Sequence, residues 1–146
     1  MTPVEFERTV LDAFQYLLND FGFRYLSTNM HSPECWATFH NSTTAVTVHF
    51  EMASRPWVEL AKLKHDGGSI ETNRSALEFL VHERAPEEAK VRANVYDDEE
   101  IRQVIYDKAH QLRDYGRDVL QGDFSVFPRL KELAMENLRR RNAIET

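Results

Sequence analysis

Six histidines, a single cysteine and a few carboxylate clusters are the side chains of this chain that could hold a metal, attack a substrate or move a proton. His31, His40, His49 and His65 are spread over segments that read as loops and strands, and no pair has the close spacing of a structural zinc site. The nearest approach to a ligand pair is His31-x-x-x-Cys35. Cys35, however, occupies a core-facing position of an alternating strand, where a cysteine behaves as a small hydrophobe and not as a ligand or nucleophile. His82-Glu83 begins like the helix of a zinc protease, but Pro86 stands where the second histidine is required. There is no G-x-S-x-G, no glycine-rich phosphate loop and no dinucleotide fingerprint. The reading is therefore of a non-enzymatic protein with no catalytic set, no metal and no cofactor.

Other charged groups have simpler explanations than a ligand. Asp97–Glu100 and Asp123-Phe124-Ser125 match helix caps, whose side-chain oxygens take up the free N–H groups of a first turn. Arg139, Arg140 and Arg141 lie near a helix C-terminus, which the helix dipole favours. A formal net charge of −6 argues against nucleic acid as a partner, because such binding rests on neutralising phosphates.

One constellation remains, and the strands that position it are the clearest elements in the chain. Cys35, Ala37 and Phe39 alternate with more polar neighbours, and so do Val46, Val48 and Phe50. That period of two marks half-buried strands over Glu34–His40 and Ala45–Met52. Joined by Asn41-Ser42-Thr43-Thr44, they pair as a hairpin with Phe39 opposite Val46, Ala37 opposite Val48 and Cys35 opposite Phe50. A turn at Ala53-Ser54-Arg55 leads into a strand over Pro56–Leu63, with Val58 opposite Phe50 and Leu60 opposite Val48. The other side of the sheet then carries Trp36, His49 and Glu59 as one row, and Glu34, Glu51 and Trp57 as the next. Two tryptophans among acids suit a protein interface, where aromatic anchors and complementary charge combine. The competing reading is that a C-terminal helix or loop covers this side and buries both. A His49–Glu59 acid–base pair is also compatible with the register.

The remaining elements are helical or lie at the edges. Thr2 and Glu5 form a capping box with Pro3 at the first helical position, followed by the apolar stripe Phe6, Val10, Leu11, Phe14, Leu17, Leu18 and Phe21, and then Gly22 as the stop. Phe23–Asn29 reads as a first strand with Phe23, Tyr25 and Ser27 on one side. A short helix precedes Pro86, and Ala85–Tyr96 is a charged connection with a short strand near Val91–Val95. A long helix runs from Asp97 or Asp98 to Gly122. A last one is capped by Ser125, with Phe127, Leu130, Leu133, Ala134 and Leu138 as its stripe. Gly116 inside the long helix suggests a close approach of a neighbouring helix.

The expected fold is α+β in a single domain over 1–146: an N-terminal helix, an antiparallel meander of three to four strands, then two to three helices packed on the sheet. A 42% hydrophobic and 29% charged composition fits a globular protein. No apolar run reaches the about 20 residues of a membrane span, and the N-terminus has no secretory pattern. With one cysteine, a reducing cytoplasm is the expected compartment. Asn19-Asp20-Phe21-Gly22-Phe23 after the first helix, the central meander, and Leu120–Phe127 between two C-terminal helices together give a layout that resembles small uncharacterised bacterial proteins of the toxin-immunity type. That resemblance implies a protein partner and no catalytic residues. The residues expected to engage such a partner, or a second copy of the chain, are Trp36, His49, Glu51, Trp57 and Glu59. The alternative is a small enzyme or ligand-binding domain with a pocket between sheet and helices.

Overall fold

The computed structural model describes residues 1–29, 34–51, 55–64, 70–89 and 97–145. Its first helix starts on the capping box: Glu5 N donates to Thr2 Oγ1 at 3.2 Å, and Thr2 N donates to Glu5 Oε2 at 2.9 Å. The stripe that follows is divided at Phe14 into α1, Pro3–Ala13, and α2, Gln15–Asp20. Phe6, Val10, Phe14 and Leu17 are fully buried, whereas Leu18 lies on the exposed side. Gly22 adopts φ +69°, the left-handed conformation that ends the segment.

Five antiparallel strands follow as a simple meander: β1 Arg24–Asn29, β2 Glu34–His40, β3 Thr44–Glu51, β4 Trp57–Leu63 and β5 Ile70–Ala76. The β2–β3 register is the expected one, with Phe39 opposite Val46, Ala37 opposite Val48 and Cys35 opposite Phe50. Asn41 fixes the connection by accepting from the Thr43 and Thr44 N–H groups at 3.0 and 2.8 Å. Its Nδ2 donates to Leu120 O at 3.0 Å, tying the hairpin to the helical layer.

Two registers differ from expectation. Val58 pairs with Val48 and Leu60 with Val46, a slip of two residues along β3. Because side chains alternate with period two, an even slip keeps every apolar residue on its own face while changing which residues meet. In β1 a bulge between Tyr25 and Ser27 reverses the alternation, so Tyr25 faces Phe39 but Ser27 faces Thr38 on the opposite side. The strand β5, unforeseen in the sequence, extends the meander as an edge. The His31-x-x-x-Cys35 spacing, most of the turn at Ala53-Ser54-Arg55, His65 and the strand near Val91–Val95 involve positions outside the described residues.

The helical layer continues with α3, Leu77–Arg84, a 3-10 turn at Pro86–Glu88, α4, Asp98–Tyr115, α5, Arg117–Leu120, and α6, Phe127–Glu145. Asp97 caps α4 by accepting from Glu99 N at 2.7 Å. Gly116 separates α4 from α5 instead of lying inside one helix. A Cβ there would stand 2.7 Å from Leu112 Cδ1 and 3.3 Å from Leu80 Cδ2, so α3 and α4 do approach closely at this point. Arg84 donates two hydrogen bonds to the Asp118 carboxylate, at 2.7 and 2.6 Å, and locks α3 to α5. The Ser125 N–H is taken by Asp123 Oδ1 at 3.0 Å, and α6 begins two residues later. Its buried stripe stops at Leu133; Leu138 is exposed because the helix runs on past the core.

The helices lie on one face of the sheet. Their buried residues form a single cluster with Cys35, Ala37, Phe39, Val46, Val48, Phe50, Val58 and Leu60. The other face contributes only the small separate cluster Ala45, Ala61 and Leu63.

Candidate partner-binding face

On the face away from the helices, the two-residue slip brings both tryptophans into one cross-strand row. Trp36 pairs with His49, and His49 pairs with Trp57. The His49 and Trp57 rings stack with centroids 4.0 Å apart and planes at 5°, while Trp36 sits 6.5 Å from His49 at 37°. Asn29 of β1 completes the row opposite Trp36. The expected row of Trp36, His49 and Glu59 is thus corrected: Glu59 faces Thr47, one row away, and Trp57 takes its place.

This correction removes the His49–Glu59 acid–base pair. Glu59 instead pairs with Arg74 of β5 at 3.5 Å, a partner that sequence reading missed together with its strand. The residues Glu71–Ser75 offer no apolar alternation from which a strand could be read; only the preceding Gly67-Gly68 hints at a turn. Glu51 lies on the other side of the row, directly opposite Glu34. Of the five residues expected to act together, Trp36, His49 and Trp57 therefore form one continuous row, Glu51 flanks it as an acidic end, and Glu59 is drawn into a neighbouring ion pair.

His49 is the centre of the row and its most constrained member. Its Nε2 is buried with no hydrogen-bond partner, and the ring is half-buried between the two indoles. Burial holds its pKa below the ordinary 6.5, with the Glu34 carboxylate opposing that effect. The lowered pKa favours the neutral ring, which suits a flat stack on an indole. Trp57 covers one side of His49 and stays 40% exposed itself. The row thus presents half-exposed aromatic surface beside two carboxylates. Such a surface can take a cationic side chain by cation–π contact and charge, or an apolar one by stacking.

Elsewhere, no three His, Cys, Asp or Glu side chains among the described residues converge as a metal site. No helix among them is long and apolar enough to cross a membrane. Cys35 is buried, and burial raises its thiol above the ordinary range, which keeps it protonated. No protein-family model, curated protein or solved structure matches this chain.

Proposed function

We propose that this chain is a cytoplasmic, non-enzymatic protein-binding module of the immunity type, which engages a basic, toxin-like protein through the Trp36–His49–Trp57 row and its acidic end at Glu34 and Glu51. The observation that carries this reading is the row itself. Two indoles and an imidazole lie side by side on the sheet face opposite all the helices, and the outermost of them remains 40% exposed. Aromatic anchors of this kind dominate protein interfaces, and flanking carboxylates select a partner of opposite charge. The formal charge of −6 gives the same preference over longer range.

The test is co-expression with each product of the genes flanking its own. Rescue of growth from a toxic neighbour, with co-purification of the two proteins, is the expected result. Trp57→Ala and Trp36→Ala should abolish both while leaving the circular dichroism spectrum unchanged. Absence of any binding neighbour, or full binding by the double variant, would overturn the reading. A dimer that dissociates on Trp57→Ala would replace the toxin-like partner with a second copy of this chain.

A further inference from the structure

Apart from the sheet face, α3 and α4 enclose a cleft of about 480 Å³ with Arg55 at its rim. Its size lies within the range of small-molecule sites. Four of its lining residues, Val104, Asp107, Lys108 and Gln111, follow the three-and-four spacing of one face of α4. Val81 and Phe79 of α3 supply apolar wall from the other side.

Two polar groups in this cleft are unmatched. Lys108 is half-buried yet makes no hydrogen bond and no ion pair with any described residue, and Gln111 Oε1 is buried without a donor. Leaving a buried acceptor unpaired costs about 1–3 kcal/mol, so the amide is poorly served by the protein alone. Burial also pushes the Lys108 ammonium below its ordinary range, with Arg55 adding to the effect and Glu78 and Asp107 opposing it. Arg55 is partly occupied by Glu78, at 3.7 Å.

These two groups ask for complementary chemistry one helical turn apart. An ammonium with carboxylates nearby but none in direct ion-pair contact among the described residues can take a ligand carboxylate directly; an amide oxygen without a donor calls for a hydroxyl or amino group beside that anion. The carboxylates of Glu78, Asp107 and Glu88 around the cleft disfavour a polyanion such as a nucleoside triphosphate. The aliphatic and aromatic wall calls for an apolar body. We propose that the cleft binds a hydroxy or amino acid with an apolar side chain, its carboxylate on Lys108 and its hydroxyl or amino group on Gln111 Oε1.

The test is a titration of the isotope-labelled full chain, followed by NMR, with 3-phenyllactate and phenylalanine as probes. At least one of them should shift the Lys108 and Gln111 signals saturably. 3-Phenylpropionate, which lacks the donor, should bind about tenfold more weakly, the loss expected for one buried hydrogen bond. Lys108→Met should weaken binding by tenfold or more; Lys108→Gln serves the same purpose if the Met variant does not fold. No saturable shift from either probe would overturn the proposal. So would equal binding of 3-phenylpropionate, or binding unchanged in the Lys108 variants. Inorganic phosphate competing as well as the hydroxy acid would show an unselective anion hole and overturn it as well.

Discussion

The two faces of the sheet are built from alternate residues of the same strands, yet their aromatic side chains are held in different ways. On the helix-covered face, Phe39 is fully buried and meets Phe14 of α1–α2 at 6.1 Å and Tyr25 of β1 at 5.3 Å; Phe50 stacks on Phe6 at 5.6 Å. Each of these rings meets the opposing layer, Tyr25 through its hydroxyl, which donates to Glu7 Oε2 of α1 at 2.6 Å. On the other face, Trp36, His49 and Trp57 meet one another across the strands. Burial drives the first arrangement, and local stacking the second. The same alternation therefore yields a face that specifies the fold and a face whose composition is free to serve recognition.

The largest test of this contrast is truncation on each side. Phe39→Ala should cost about 3–5 kcal/mol, because it removes a fully buried ring and leaves a cavity the packed helices cannot fill. Urea denaturation would read this as a large fall in midpoint with little change in slope. Trp57→Ala should cost no more than about 1.5 kcal/mol, the value of one partly exposed aromatic stack, with partner binding lost. Equal losses from both substitutions would show that the outer row is a second core.

How far these faces could be read from sequence depended on the elements involved. The β2–β3 hairpin was legible because the alternation of Cys35, Ala37, Phe39, Val46, Val48 and Phe50 sets the parity and the four-residue connection Asn41–Thr44 sets the row, with His40 opposite Ala45. For β4 the alternation was just as clear but left the register free by two residues, since Val58 and Leu60 are buried in either alignment. Hydrophobic pattern fixes parity; the row of partners depends on the turn. That is why Trp36 and His49 were placed together from sequence while Trp57 and Glu59 exchanged places. The edge strand β5 left no apolar signature because Asn73 and Arg74 are exposed and Ser75 and Ala76 only half-buried, so no large apolar side chain among them marks a buried face. The α3–α4 cleft was illegible for another reason. It depends on how two helices splay, and Lys108 and Gln111 look in sequence like ordinary surface residues.

A third prediction separates the faces by pH. His40 and His49 both lie on the outer face, both have a buried Nε2 without a partner, and burial lowers both pKa values from 6.5. Among the described residues, the helix-covered face of the sheet carries no histidine. With a folded-state pKa below the unfolded one, the unfolded chain binds more protons in the intervening window. Stability is therefore fully present above pH 6.5 and declines as pH falls from there through the folded-state values. Thermal unfolding between pH 7.5 and 5 should show this decline, and His49→Gln with His40→Gln should flatten it. The change should be smaller than that of Trp57→Ala, since both rings remain partly in water. An unflattened decline in the double variant would assign the acid sensitivity to the carboxylates instead.

The smallest effect concerns the acidic end of the row. Glu34 and Glu51 stand directly opposite each other, a like-charge arrangement that costs a few tenths of a kcal/mol on an exposed sheet position. Glu34 also favours the protonated form of His49. Glu34→Gln should accordingly raise thermal stability slightly at neutral pH and lower the His49 midpoint further, read from the imidazole signals by NMR. It should also weaken a basic partner, because it removes a carboxylate from beside the indoles. Gain in stability with loss of binding is the signature of a charge retained for recognition. If Glu34→Gln instead lowered stability and left the His49 midpoint in place, the carboxylate would be a structural element of the sheet edge, and the acidic end would have no part in choosing the partner.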